Sequence, residues 1–290
     1  MAEITASLVK ELREITGAGM MECKKALVET EGDIEKAIDA LRTAGLAAVA
    51  KKAGRATNEG TVAALVSGCG TSGALVELNC ETDFVGMNEK FKAYADTIAQ
   101  AVIDNKPADL DGLLAASAGE STVEAVIADA IHTLGENIQL ARFAYACQEG
   151  GAVTSYIHAG GKIGVLVEFK VGDVALATND DFKRFGRDIA MQVAAAQPVA
   201  VNRESVDAAL IEREVSIYKA QAAESGKPEA IQEKMATGRL EKYYKENCLT
   251  EQEFVKNPDQ TVSQYAAQVA KDLGSTIEIV AFTRFLLGGE

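Results

Sequence analysis

Three stretches of the chain carry residue types that could do chemistry. The first, Gly68-Cys69-Gly70-Thr71-Ser72-Gly73, fits the G-x-G-x-x-G spacing with which a glycine-rich turn holds a dinucleotide pyrophosphate. That chemistry needs a helix after the turn, so that N-terminal amides face the phosphates. Here the turn runs into ALVELN, short and apolar like a strand, and a hairpin turn is expected instead. The second is a thiol with a base, Cys80 with His158, but neither sits in a nucleophile motif and buried, inert cysteine is the commoner state. The third is Thr82-Asp83-Phe84-Val85, which places an acid and an aromatic at a strand-to-helix connection. Phe84 is either a plug closing the end of its own sheet or a tip meant for something outside the chain. The carboxylates read as a solvated face, and with only His132 and His158 available a His-rich metal site is excluded. No catalytic, cofactor-binding or metal-ligating constellation is expected.

The elements that must position these residues begin with three short helices over residues 1–43. Thr5 caps the first, in which Leu8, Leu12 and Ile15 share a face and which Gly17 ends. A second helix is predicted from about Gly19-Met20-Met21 to Gly32, and a third from Asp33 with Ile34, Ala37, Ile38 and Leu41 inward. AGLAAVAKKAGRATNEG (44–60) reads as a linker, in part helical.

Beyond it the chain repeats itself. Residues 60–102 align without a gap to 151–193, with 13 identities in 43 positions, among them Gly70/Gly161, Gly73/Gly164, Leu75-Val76-Glu77/Leu166-Val167-Glu168 and Phe91/Phe182. Each copy reads strand, glycine turn, strand, loop, helix, an antiparallel layer with a helix on it. GENIQLARFAYAC (135–147) and STIEIVAFTRF (275–285) are each expected to add a strand to the second copy. Residues 205–246 carry Ile211, Val215, Tyr218 and Ala222 at helical spacing, then Gly226-Lys227-Pro228, then Ile231 and Met235 on a return helix. That predicts a helical hairpin, either coiled-coil-like or two ordinary packed helices. The fold class is α+β: a three-helix head with its linker (1–55), a first core copy (56–145), a second (146–199 with 247–290) and the inserted hairpin (200–246).

The copies differ where function is free to enter. Thr82-Asp83-Phe84-Val85 matches Asp173-Val174-Ala175-Leu176 in the second copy, so the scaffold is built without an aromatic at that point.

Composition narrows the partners. The net charge is −14 over 290 residues, which disfavours direct binding of nucleic acid. Residues 1–55 are neutral, with nine basic and nine acidic side chains, so the acidic excess belongs to the rest. Five scattered cysteines without a C-x-x-C pair suit reduced thiols and a cytoplasmic setting. Neither a membrane span nor a secretory signal is expected.

Several segments, in order along the chain, are similar to bacterial translation elongation factor Ts: LVKELREITGAGMMECKKAL (8–27), GDIEKAIDALR (32–42), ETDFVGMNEKF (81–91), SYIHAGGKIGVLVE (155–168), SGKPEAIQEKM (225–235) and GRLEKY (238–243). The resemblance implies a ubiquitin-associated-like head, a duplicated core and a protruding hairpin. It also implies a guanine-nucleotide exchange factor for the GTPase elongation factor Tu, acting by binding and without covalent chemistry. On that resemblance Thr82, Asp83, Phe84 and Val85 form a partner-binding exchange wedge, of which Asp83 and Phe84 enter the GTPase near its magnesium and nucleotide phosphates. Lys10, Arg13, Met20 and Met21 grip the same partner from the head, and Leu134, Gly135 and His158 belong to the core contact. Many members of the family continue into a C-terminal helix that also touches the GTPase, whereas this sequence ends FLLGGE, so no C-terminal residue is assigned to the interface.

Overall fold

A computed structural model describes residues 4–16, 18–52, 54–224, 226 and 228–289. Gly17 and Lys227, expected as a helix stop and part of a turn, lie outside the described residues.

The head opens with α1 (Ala6–Thr16), where the Leu8 amide donates to Thr5 Oγ1 at 3.2 Å. In α2 (Met20–Glu29) the Glu22 carboxylate reaches back to accept from the Gly19 amide at 3.3 Å. This helix ends before Gly32: Glu31 takes the left-handed conformation (φ 55°) and the Gly32 amide returns to Leu27 O at 2.8 Å. Asp33 Oδ1 then caps α3 (Ile34–Lys52) through the Lys36 amide at 3.1 Å. α3 absorbs most of what reads as linker. Leu12, Cys23, Leu27, Ala37 and Leu41 close a small core between the three helices.

The first copy follows as β1 (Glu59–Val66), β2 (Ser72–Cys80), a one-turn α4 (Asp83–Gly86) and α5 (Glu89–Asn105). It continues with α6 (Leu110–Ala115), a two-residue ribbon of β3 (Ser117–Ala118) and β4 (Ser121–Thr122), α7 (Val123–Leu134) and β5 (Ile138–Cys147). In the second copy β6 (Gly151–His158), β7 (Ile163–Val171), a 3-10 turn (Val174–Thr178) and α8 (Asp180–Ala196) appear, with β2/β7 and α5/α8 offset by 91 residues at both ends. The glycine motif at 68–73 sits in the β1–β2 hairpin, whose strands pair antiparallel.

Each sheet has three antiparallel strands, ordered β1-β2-β5 and β10-β7-β6, with β10 spanning Ile277–Leu286. Residues 138–147 therefore belong to the first copy, which corrects the expectation that they join the second. The free edge of β2 takes β5, and Ile138 and Leu140 fill the core beneath that copy's own α5 and α7.

Between α8 and the last strand stand a hairpin of α9 (Ala208–Ala223) and α10 (Glu229–Asn247), the ribbon of β8 (Glu253–Phe254) and β9 (Asn257–Thr261), and α11 (Val262–Asp272). The repeat resumes here in a shifted register. Thr122 caps α7 and Thr261 caps α11 in the same way, 139 residues apart rather than 91. The difference, 48, is the length of residues 200–247, so the hairpin is one insertion into the second copy. Its base is closed: the Val199 amide donates to Asn247 O and the Leu249 amide to Ala200 O, each at 2.9 Å. Arg203 binds Glu241 and Glu251 across the same base at 2.8 and 2.7 Å.

The two copies meet through equivalent residues. Val62, Leu75 and Ala146 of the first pack with Val153, Leu166 and Phe285 of the second. The backbone bonds are reciprocal, Val62 N to Gly161 O at 2.7 Å and Val153 N to Gly70 O at 2.8 Å. Gly73 and Gly164 are needed at this seam. A Cβ on Gly164 would lie 2.4 Å from Val62 Cγ1, and one on Gly73 would lie 3.0 Å from Val153 Cγ1. Outside the seam each copy has its own core under its own helix, around Phe91 and Ile98 in one and Phe169, Phe182 and Phe185 in the other.

Candidate functional site

The tip carrying Asp83 and Phe84 is built from the end of β2 outward. Thr82 is the N-cap of α4, its hydroxyl accepting from the Val85 amide at 3.4 Å. Val85 turns inward onto the first-copy core. Gly86 presses on Gly60 of β1, where a Cβ would lie 3.0 Å from the Gly60 carbonyl oxygen. With positions 82, 85 and 86 committed to the scaffold, Asp83 and Phe84 are left facing out. Phe84 is 84% exposed. An aromatic so exposed has no stabilising partner in its own chain, which removes the plug reading.

This tip is held rigidly. Glu136, just past α7, accepts from the Glu81 and Thr82 amides at 3.0 Å each and from the Thr82 hydroxyl at 2.6 Å. Glu81 answers by accepting from the Asn137 amide at 2.7 Å and from Arg55 at 3.2 Å. The Asn137 amide, helped by Arg55, holds the Glu81 carboxyl below the usual carboxylate range despite partial burial. Two carboxylates thus exchange bonds across the segments 81–82 and 136–137. Neither Glu81, Glu136 nor Asn137 is picked out by the sequence reading. The only signal was an acid beside each of the singled-out segments, Glu81 before TDFV and Glu136 after Leu134-Gly135.

The remaining candidates fall in different settings. Leu134 packs into the first-copy core at the end of α7, and Gly135 caps that helix in the left-handed region (φ 79°), leading directly into Glu136. The structure therefore joins residues 134–135 to the tip. His158 ends β6 and is exposed, its Nδ1 2.9 Å from the Tyr156 hydroxyl. The turn after it is tied to the start of β1 by Lys162 and Glu59 at 2.6 Å, beside the Gly60 that seats Gly86. In the head, Lys10 and Arg13 are exposed, with Lys10 only 3.6 Å from Glu14. Met20 and Met21 are 57% and 76% exposed, so neither is a core residue. The head rests on α7: Lys52 Nζ donates to Ile131 O at 3.2 Å, and Glu22 lies 3.5 Å from His132 Nε2.

What the arrangement can do chemically is limited. Cys80 is fully buried, its thiol donating to Thr82 O at 3.1 Å, and burial reinforced by the Glu136 charge pushes it up to about 12. Cys80 is thus a buried, inert cysteine, the commoner state expected of it, rather than a nucleophile for His158. Among the described residues no group of three or more His, Cys, Asp or Glu is placed to hold a metal, and no helix is long and apolar enough to cross a membrane. What the site offers is an apolar ring and a carboxylate on a rigid mount, suited to a partner's surface.

A family model described as Elongation factor TS matches residues 81–289. The chain is 48% identical over 288 residues to elongation factor Ts of Trichlorobacter lovleyi, covering 98% of this chain and 93% of that protein. Elongation factor Ts of Clostridium acetobutylicum is 48% identical over 287 residues, with 98% and 92% covered, and that of Clostridium botulinum 47% over 286, with 98% and 93% covered. With a matching family model over most of its length and relatives this similar from end to end, the chain belongs to the elongation factor Ts family.

Proposed function

We infer that this chain, as a member of that family, is the guanine-nucleotide exchange factor that promotes GDP release from elongation factor Tu during translation elongation. The finer mechanism we propose is a wedge. Asp83 and Phe84 enter the GTPase beside its magnesium ion and nucleotide phosphates. Metal and phosphates hold one another and order the switch segments of a GTPase, so displacing the neighbours of either loosens both. Exchange is then linkage. A partner that prefers the empty GTPase weakens nucleotide binding by the same factor by which nucleotide weakens the partner. No covalent bond is made, so no acid, base or nucleophile is called for.

The observation that carries the wedge is Phe84, 84% exposed on a mount locked by Glu81 and Glu136. A rigid tip loses little entropy on insertion, so its apolar contact goes into displacing the GTPase's own groups. The three-helix head, read as ubiquitin-associated-like, grips the GTPase through Lys10, Arg13, Met20 and Met21. Leu134, Gly135 and His158 complete the contact from the core, and Thr82 and Val85 support the tip. The inserted hairpin is read as coiled-coil-like. The setting is cytoplasmic, with neither nucleic acid nor membrane as direct partner. Stopped-flow release of a fluorescent GDP from purified elongation factor Tu tests the reading. Acceleration by the chain that disappears with Asp83→Ala and Phe84→Ala together is expected. Full acceleration by that double variant would overturn the wedge.

A further inference from the structure

The glycine turn at 68–73 is not among the residues proposed for exchange, yet it walls a second feature. Between this turn and α8 lies a cleft of about 360 Å³ lined by Ser67, Gly68, Gly70, Thr154, Lys183 and Arg187. Gly70 brings the turn against the second copy. Its φ is 73°, and a Cβ there would sit 2.3 Å from Ala177 O. Lys183 and Arg187 are one helical turn apart on α8 and therefore side by side. Thr154 lies beneath them against Gly186, where an added Cβ would fall 2.7 Å from its hydroxyl oxygen.

Three observations point to an anion. Thr154 is only 7% exposed, and its buried hydroxyl has no hydrogen-bond partner, an arrangement folded proteins avoid. Arg187 forms no salt bridge among the described residues of a chain with net charge −14; its guanidinium lies 5.7 Å from the Tyr156 ring centre. Lys183 has only a 3.9 Å approach to the exposed Asp180. The third is the asymmetry of the repeat. Thr154, Gly186 and Arg187 correspond to Ala63, Ala95 and Asp96 in the first copy, while Lys183 keeps its counterpart Lys92. The scaffold is thus built in the first copy with neither the hydroxyl nor the second cation, and with a carboxylate in its place.

We propose that this cleft is a binding site for a dianionic phosphate group, either free or carried on a small phosphomonoester. Arg187 supplies a planar fork to two phosphate oxygens and Lys183 a point charge, above the unpartnered Thr154 hydroxyl buried against Gly186. The site is separate from the exchange tip. β2 alone, from Ser72 to Cys80, sets about 27 Å between the glycine turn and the Asp83 end of the strand.

Calorimetric titration of the full chain with inorganic phosphate, and separately with glycerol 3-phosphate, at constant ionic strength tests the site. Saturable one-site binding is expected for the unaltered chain. Lys183→Ala with Arg187→Gln should weaken it by roughly tenfold or more. Lys92→Ala, the matching position in the first copy, should leave it unchanged. GDP release from elongation factor Tu serves as the folding check, because all these variants leave the tip intact. Tighter binding of glycerol 3-phosphate than of phosphate marks a phosphomonoester as the ligand, and the reverse marks the free ion. Absence of saturable binding, or equal affinity in the folded double variant, overturns the proposal.

Discussion

Phe84→Ala separates a tip that acts on the partner from one that holds its own sheet. The ring is 84% exposed, so truncation should change folding stability by less than about 0.5 kcal/mol. Phe91, fully buried in the same copy, should lose about 3–5 kcal/mol on the same change and is the reference for a true core residue. In the complex the accounting reverses. Burying Phe84 removes roughly 150 Å² of mostly apolar surface from water, at the low end of what an aromatic buries. At about 25 cal/mol per Å² this is about 4 kcal/mol, of which alanine retains the part from Cβ and backbone. A loss of about 2–3 kcal/mol slows GDP release roughly 30- to 150-fold at limiting exchange factor. The assay is thermal melting of the free variant beside stopped-flow GDP release from elongation factor Tu. A melting temperature that falls as far as that of Phe91→Ala, with exchange per folded molecule unchanged, refutes the reasoning.

Glu136→Gln touches no proposed contact yet loosens the mount, because a neutral amide cannot accept as strongly from the Glu81 and Thr82 amides and the Thr82 hydroxyl. Exchange should slow several-fold, with faster hydrogen exchange at residues 81–85 by mass spectrometry; unchanged protection there sinks the idea. Deleting residues 1–55 should weaken binding of elongation factor Tu by at least about tenfold, and Met21→Ala should weaken it without lowering the head's melting temperature, both followed by titration calorimetry. Cys69 is exposed, and hydroxyls of Ser67 and Thr71 lower its thiol to about 7, so its thiolate forms as pH rises through 7. Iodoacetamide should therefore label Cys69 with a midpoint near pH 7 and leave Cys80 unlabelled in the folded chain, with GDP release unaffected; peptide mass spectrometry reads the order.

Much of the architecture is legible in the sequence because local rules and tertiary demands agree there. The 91-residue offset places the hairpin strands and the helices α5 and α8, since glycines at a shared seam and apolar stripes under a helix recur wherever the scaffold recurs. The second half of the repeat is hidden because the inserted hairpin shifts its register from 91 to 139. That shift also conceals that residues 138–147 and 277–286 are equivalent third strands, one to each sheet. Partner choice for an edge strand depends on which edge is open, and no local pattern records it. At the site, Phe84 could be singled out from Ala175 alone, but the Glu136 clasp spans 54 residues and no spacing rule reaches that far. Cys80 is legible only as the commoner case: the same letter serves a buried donor and a nucleophile, and burial tells them apart.

The closed base of the α9–α10 insertion bears on how the second copy assembles. Its sheet must recruit β10 across the 105 residues between β7 and β10, and by the logarithmic loop term the 48 inserted residues raise that closure cost by about 0.5 kcal/mol. Ala200 and Cys248 already sit side by side, and the two helices between them form from near neighbours in the chain. Once the hairpin has zipped, the effective detour shrinks to a few residues and most of that increment is gone before the sheet closes. The arm thus shortens the effective loop of the copy that carries it, whereas a flexible tether of equal length would leave the last strand to find its edge by diffusion.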